Sequence, residues 1–598
     1  MEALVLVCVA DVIAGNYPLS ITDCSFFMSQ IDWIILILTL TGIITYGLYK
    51  SKTSRNLDGY FLSNRSLPWY LVLLSIMGTQ ASAITFLSAP GQAFTDGMRF
   101  VQYYFGLPIA MVVLCITFVP MFHRLKVYTA YEYLEQRFDN KTRTFTSLLF
   151  LISRGLSTGI SIYAPSIILS SLMGWDIFWT NIVMGGLLII YTVSGGARAV
   201  AYTQQLQLII IFVGMFLAGY MIVHLLPANM GFWDALKISG AAGKMNVITT
   251  GVTDSGFDWK DRYNLISGTI GGFFLALSYF GTDQSQVGRY LTAKNLTESR
   301  MGLLMNGLVK VPMQFFILLL GALLFTFYQF HQAPIFNNQS VETRALQTPA
   351  KEQLMQLSAQ YEQQRQALET ATLEKLHAKE QVSSDLVKPY TEEMQSLQKQ
   401  YKATIKDAVP DADTNDTNYI FLRFVIDHLP VGLVGLLIAI IFLAAWGSIA
   451  AALNSLASCT MVDFYLRFKK NNTNGASDEA QYRMSKWLTF FWGVFCVITA
   501  EFATGMGSLI EAVNVLGSLF YGVILGIFLV AFYLKKVQGN AVFWAAVIGE
   551  LLVIACFLLD RYNIIGLGFL WLNVVGAIAV VVLAIILQPL FRKPITAQ

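Results

Sequence analysis

The chain has 598 residues, of which 55% are hydrophobic and only 13% charged, with a formal net charge of +3. A soluble domain carries about 25% charged residues, so this composition, with a mean hydropathy of +0.56, excludes a soluble fold and describes an all-α polytopic membrane protein whose first partner is the lipid bilayer. The small net charge and the lack of any basic run exclude a nucleic-acid groove.

Residues 1–31 are apolar at their start but lack a basic leading stretch and carry Asp11, so they read as an external N-terminal segment rather than a cleaved signal. Apolar windows then predict about thirteen transmembrane helices. An extra first helix at 32–50 precedes five spans at 67–93, 99–122, 142–173, 175–193 and 200–226. Further spans follow at 263–289, 299–331, 419–467 and 481–502, and the C-terminal helices of 505–592 occupy 505–533, 540–559 and 568–592. Basic residues recur at every second loop, among them Lys50, Arg124, Arg198, Lys294, Arg467, Lys535 and Arg592. The positive-inside rule therefore puts the N-terminus outside and the tail 593–598 in the cytoplasm of a cell (plasma or inner) membrane. Residues 332–418 break the pattern, being polar and rich in Gln, Glu, Lys and Ala. Leu354, Leu357, Tyr361, Leu368, Leu373 and Leu376 recur there at helical spacing, and Pro389 is placed to divide two helices. This external helical insertion reads most simply as an exposed hairpin without a transport role, with a docked protein partner as the alternative. The six cysteines show no paired or metal-ligand spacing and read as small apolar residues.

Two spans are interrupted where they should be most apolar. The 67–93 span contains Gly78-Thr79-Gln80-Ala81-Ser82-Ala83-Ile84-Thr85 and ends in Pro90-Gly91; the 263–289 span contains Gly271-Gly272 and then Ser278-Tyr279-Phe280-Gly281-Thr282-Asp283-Gln284. Backbone that opens at membrane depth survives only where protein or a wet cavity covers it. Each interruption falls in the first helix of a five-helix set, 67–226 and 263–502, which is the pattern of a transporter built from inverted repeats with its site at the repeat interface. Lys310 and Arg154 lie inside spans and each needs a partner or a wet cavity; Glu550 and Glu511 are similarly placed. No nucleophile motif, phosphate loop or metal-ligand spacing is present, so nothing points to an enzyme.

Three separated motifs then carry a resemblance. Thr129-Ala130-Tyr131-Glu132-Tyr133-Leu134-Glu135-Gln136-Arg137-Phe138, Tyr191-Thr192-Val193-Ser194-Gly195-Gly196 with Tyr202-Thr203 and Gln207, and Ala444-Ala445-Trp446-Gly447-Ser448 through Asn454 to Asp463 resemble the sodium:solute symporter family. The resemblance covers residues 32–592 outside the insertion; Gly159 to Pro165 is nearest the iodide, monocarboxylate and multivitamin branch, with the sodium/sugar branch also close. It implies a LeuT-like inverted 5+5 helix repeat and alternating access driven by sodium. The family's common sodium site maps here to Gly78, Ala81, Ala444, Gly447 and Ser448, of which only Ser448 offers a hydroxyl. The acidic position of an auxiliary site is Gln204, with Ala450 and Ala451 where serines stand, so one Na+ at most is expected and a second sodium site is not. The substrate pocket maps to Gln80, Thr85, Tyr104, Arg154, Thr158, Lys310 and Asn514, with Tyr279 as the aromatic inner gate. Tyr104 replaces the carboxylate of sugar members, and Arg154 lies near an arginine that holds a carboxylate in an anion-transporting one.

The sequence thus points to sodium-coupled symport of a small polar solute, an organic anion such as a monocarboxylate or an acidic sugar like sialic acid being favoured. The alternatives are a neutral sugar or polyol symporter, a sodium-independent or proton-coupled carrier, and a substrate sensor.

Overall fold

In a bilayer every backbone N–H and C=O must be paired within the protein, so long apolar runs become helices and departures from helix mark places that protein covers. The computed structural model describes residues 28–50, 57–228, 230–254, 256–469, 478–503, 506 and 508–591. Most of the expected N-terminal segment, and all of the tail 593–598, lie outside these residues. Among the described residues, ten helices are long and apolar enough to cross a membrane, and a bent pair makes an eleventh.

In chain order, α1 is Gln30–Lys50, and the bent pair is α2 (Trp69–Gln80) and α3 (Ala83–Asp96), set at 60° to each other. Next come α4 (Leu107–Ile116) and α5 (Asn140–Met173). The helical run Ile177–His224 holds two apolar helices, α6 (Ile177–Val193) and α7 (Ala197–His224). A second broken helix consists of a wide turn at Ser267–Gly271, then α8 (Gly272–Thr282) and α9 (Gln284–Tyr290). α10 is Leu296–Phe330, and the polar insertion forms α11 (Lys351–His377) and α12 (Ser384–Ala408). The remaining helices are α13 (Leu433–Cys459), α14 (Asp478–Ala500), α15 (Leu509–Tyr533), α16 (Gly539–Arg561) and α17 (Leu570–Leu587). The only sheet among the described residues is a two-residue antiparallel pair, Val252–Thr253 with Gly256–Phe257.

α13 is the centre of the bundle: 89% of its apolar window is buried, against 22% for α1. Its run of alanines, with Gly447 and Ser448, lets neighbouring backbones approach closely, which is how membrane helices pack when solvent gives no hydrophobic drive. α1, α5 and α7 surround it, and α2 lies against α7, α10 and α13. Asp32 ties α1 to this centre, accepting hydrogen bonds from the Gly432 and Gly435 amides at 2.7 and 2.9 Å; a carboxylate there answers the unpaired N–H groups at the start of α13.

The insertion is a helical hairpin with its own small core, in which Leu354, Leu357 and Tyr361 of α11 meet Leu397, Tyr401 and Ile405 of α12. Leu368 is buried in the main core instead, and Arg365 donates to the Gln329 carbonyl at 2.7 Å, fastening the hairpin to the end of α10. The division between the two helices differs from expectation. α11 ends at His377, where Lys379 adopts a left-handed φ of 55°, and Pro389 lies inside α12. So near a helix start, a proline forfeits one backbone hydrogen bond and bends the helix without ending it.

Candidate functional site

The first break is a local failure of the i to i+4 ladder. The Ser82 amide turns to the Gln80 carbonyl and the Thr85 amide to the Ser82 carbonyl, each at 3.0 Å, with Ala81 at φ −81°, ψ 78°. The carbonyls of Gly78 and Ala81 thereby lose the donors four residues ahead that a continuous helix would give them. Pro90-Gly91 does not end the second half, which continues to Asp96.

Facing α2, Ser448 on α13 donates its hydroxyl to the carbonyls of Ala444 and Ala445 at 3.1 Å, leaving its oxygen lone pairs open. Beside it, the Gln204 amide joins three elements. Its Nε2 donates to the Gly447 carbonyl at 3.0 Å and to Thr79 Oγ1 at 3.2 Å, and its Oε1 accepts from Ser75 at 2.8 Å. Glycine at 447 follows from this crowding, because a Cβ there would stand 2.5 Å from Gln207 Oε1 and 3.3 Å from Gln204 Cγ. A Cβ on Gly78 would likewise come within 2.9 Å of the Gln204 side chain.

A cavity of about 130 Å³ opens between the broken helices and α5, α13 and α15. Of the residues mapped from sequence, Gln80, Thr85, Tyr104, Arg154, Thr158, Tyr279, Asn514 and Ser448 line it. Lys310 does not: it is fully buried behind the wall, its Nζ 5.6 Å from the Tyr104 ring centre and without a hydrogen-bond partner among the described residues. Gly78 and Gly447, beside Gln204, Ala81, within the break, and Ala444, whose carbonyl accepts from Ser448, are likewise not among the lining residues. Among the residues lining the cavity, two buried atoms lack partners among the described residues, Gln80 Oε1 and Arg154 Nε. Buried polar atoms are ordinarily bonded, so orphans beside a cavity mark where a polar ligand is wanted.

Arg154 is the only charged side chain on the cavity wall among the described residues. Its guanidinium lies 3.8 Å from Asp283 Oδ2, too far for a hydrogen bond, and 5.8 Å from the Tyr279 ring. Asp283 is the second break itself, in extended conformation at φ −75°, ψ 116°. Its Oδ1 caps α9 by accepting from the Ser285 amide at 2.7 Å and hydroxyl at 2.6 Å, and its Oδ2 accepts from Tyr521 at 2.9 Å. Tyr279 accepts from Gln286 at 2.7 Å, which sets its ring against Tyr521 at 5.8 Å.

Beneath this break the Thr129–Phe138 segment is knotted in place. Tyr131 donates to the Thr282 carbonyl at 2.8 Å, and the Ala130 amide donates to Gln284 Oε1 at 3.0 Å. Thr129 donates to Asp463 Oδ1 at 2.9 Å, and Arg143 donates to the same oxygen through Nε at 2.8 Å. Arg137 reaches the carbonyls of Ala531, Leu534 and Lys535 at the end of α15.

Sequence reasoning missed Tyr103, which lines the cavity and donates to Asn514 Oδ1 at 2.9 Å, and it missed Ser157, Ser161 and Tyr521. Ser157 and Ser161 follow Arg154 at helical spacing, so that face of α5 was a usable signal. Tyr103 and Tyr104 close the tight helical stretch Met98–Tyr104, which the sequence does not reveal. Of the two glutamates, Glu511 pairs with the half-exposed Arg262, whereas Glu550 is buried with neither oxygen bonded among the described residues.

With the geometry in hand, comparison with known proteins gives three results. The sodium:solute symporter family profile matches residues 60–356 and 397–549, and its gap falls inside the α11–α12 hairpin. The chain is similar to the sodium/sialic acid symporter SiaT of Proteus mirabilis (26% identical, covering 94% of this chain and 95% of that one) and to the sodium/sialic acid symporter NanT of Aliivibrio fischeri (24%, covering 95% of each). It is 30% identical to the human sodium/iodide cotransporter over 46% of this chain. A solved structure described as the substrate-bound outward-open state of a Na+-coupled sialic acid symporter shares the fold, with a TM-score of 0.71 at 24% identity, covering 94% of this chain and 99% of that one.

Proposed function

The chain belongs to the sodium:solute symporter family and is a membrane transporter rather than an enzyme, and from that premise we propose that it carries a small organic anion, an acidic sugar of the sialic acid class, inward with sodium. The observation that carries this reading is Arg154, a guanidinium on the cavity wall whose Nε is unbonded and whose counter-charge stands 3.8 Å away. A guanidinium fork matches a carboxylate with two parallel N–H bonds, an advantage that a neutral sugar cannot use. Gln80, Thr85, Thr158 and Asn514 serve the solute's hydroxyl and amide groups, Tyr104 and Tyr279 pack against its ring, and Lys310 supports the wall from behind.

The cation takes the released carbonyls of Gly78 and Ala81 together with the Ala444–Ser448 turn. Carbonyl and hydroxyl oxygens supply a hard cation with ligands without burying a full charge. Gly447 gives no hydroxyl, and its carbonyl already accepts from Gln204, so one sodium per cycle is the expected maximum, and the Gln204 amide stands where a second ion would need a carboxylate. The chain crosses the cell membrane thirteen times, counting α6 and the α8–α9 helix, with the N-terminus and the α11–α12 hairpin outside and the C-terminus in the cytoplasm. Counterflow into proteoliposomes, with sodium or with choline, tests the reading. Carboxylate sugars and monocarboxylates should compete with sialic acid only when sodium is present. Competition by neutral sugars with none from carboxylates would transfer the solute to the sugar and polyol class.

A further inference from the structure

Tyr103 and Asn514 meet on the cavity wall, and the hydrogen bond between them decides which way the asparagine amide is turned. Tyr103 donates to Asn514 Oδ1 at 2.9 Å, while Asn514 Nδ2 has no partner among the described residues. A phenol has a single proton to give. With the amide reversed, that proton would lack an acceptor in a side chain only 8% exposed, so the amide is held with its oxygen on Tyr103. Tyr103 is itself clamped, its ring stacked on Phe100 at 5.5 Å and edge-on to Tyr104 at 4.7 Å. Asn514 is thereby left with N–H donors for a solute. On α5 the arrangement is the reverse: Thr158 and Ser161 give their protons to the carbonyls of Arg154 and Ser157 at 2.6 and 2.9 Å and keep lone pairs to offer.

We infer that Tyr103 is a positioning residue that makes Asn514 the reader of an acylamino carbonyl on the solute. The inference rests on the preceding reading, in which a solute carboxylate docks on Arg154. Distance supports it. Asn514 stands two helical turns, about 10 Å, before Tyr521 on α15, and the Tyr521 hydroxyl meets Asp283, the counter-charge of Arg154. Hydrogen bonds of about 2.9 Å at either end then leave a gap that one sugar ring spans between its carboxylate and an acetamido carbonyl. A short monocarboxylate on Arg154 stops before Asn514. A sugar acid with a hydroxyl in place of the acetamido group also falls short, because its oxygen lies nearer the ring. Either leaves the Asn514 donors unpaired, and that loss, more than the bond gained, is what discriminates. The pair thus selects N-acylated acidic sugars among organic anions.

Calorimetry on the full-length protein in sodium compares sialic acid carrying its acetamido group with the counterpart carrying a hydroxyl there, and the readout is the ratio of the two dissociation constants. Wild type should favour the acetamido form by about tenfold; this arm needs no variant, so it stands even where one does not fold. Asn514→Leu keeps the shape, removes the donors and should bring the ratio near one. Tyr103→Phe keeps the stacked ring but frees the amide to turn over, and should lower the ratio roughly threefold. Because Tyr103 also lines the cavity, the double variant decides whether it acts through Asn514: its ratio should equal that of Asn514→Leu alone. A wild-type ratio near one, an unchanged ratio in either single variant, or a change on adding Tyr103→Phe to Asn514→Leu each overturns the inference. Equal affinity for sialic acid and its C1 carboxamide, or no binding of either form, overturns instead the reading on which it rests.

Discussion

At Ala81 the chain leaves α2 through residues that carry no charge and frees two carbonyls, whereas at Asp283 it leaves α8 through a carboxylate held by two side chains and one amide. Both breaks interrupt an apolar helix, and both face one cavity through their neighbours Gln80 and Tyr279. Their chemistry is opposite. Partial charges from released carbonyls are enough for a small cation and cost little to bury. A full buried charge must be matched, and Asp283 is matched by Arg154. On the proposed reading, the difference separates the labour of a symporter, with a cation at one break and the anchoring of an anion at the other.

That comparison can be broken in four places. The largest effect is expected beneath the second break, where Asp463→Ala leaves Arg143 with only the partly exposed Glu135 as counter-charge. Stability should fall by about 3 kcal/mol, read as a lower melting temperature of the purified protein, and an unchanged melting point would mean that the Thr129–Phe138 segment is not what holds this end of the bundle. Next comes Arg154→Gln, which should weaken carboxylate solutes by roughly 30-fold and leave neutral sugars alone; calorimetry decides. Ser448→Ala removes the one side-chain hydroxyl of the proposed sodium ligand set and should abolish most sodium-stimulated uptake, raising the sodium needed for half-maximal rate by about tenfold. Full sodium dependence in that variant would place the ion elsewhere.

The smallest effect concerns the C-terminal end of α3. Lys244 donates to the Thr95 carbonyl there, and its own carbonyl accepts from the Met98 amide at 2.9 Å. Burial lowers its ammonium from 10.5 to about 8, with Asp96 offsetting part of the shift. A lysine lowered on folding is penalised while protonated, so the penalty is complete below pH 8 and fades as pH rises toward 10.5. Wild type should therefore gain stability over Lys244→Met across that window, seen as a melting-temperature difference that grows with pH.

Much of this was legible in the sequence. Composition determined the membrane class, apolar run length determined most helices, and polar residues inside two runs located both breaks to within a few residues, because helix, span length and hydropathy are local properties. The Thr129, Tyr191 and Ala444 motifs carried the family, and eight of the mapped residues stand on the cavity wall. What the sequence could not supply is distance. That Gln204 fills the space between Gly78 and Gly447, that Lys310 lies behind Tyr104, and that Asp283 stands opposite Arg154 are contacts between residues 126 to 243 positions apart, set by how helices pack rather than by any spacing along one of them. Identity and depth were written in the chain; which charge answers which was decided only when the helices came together.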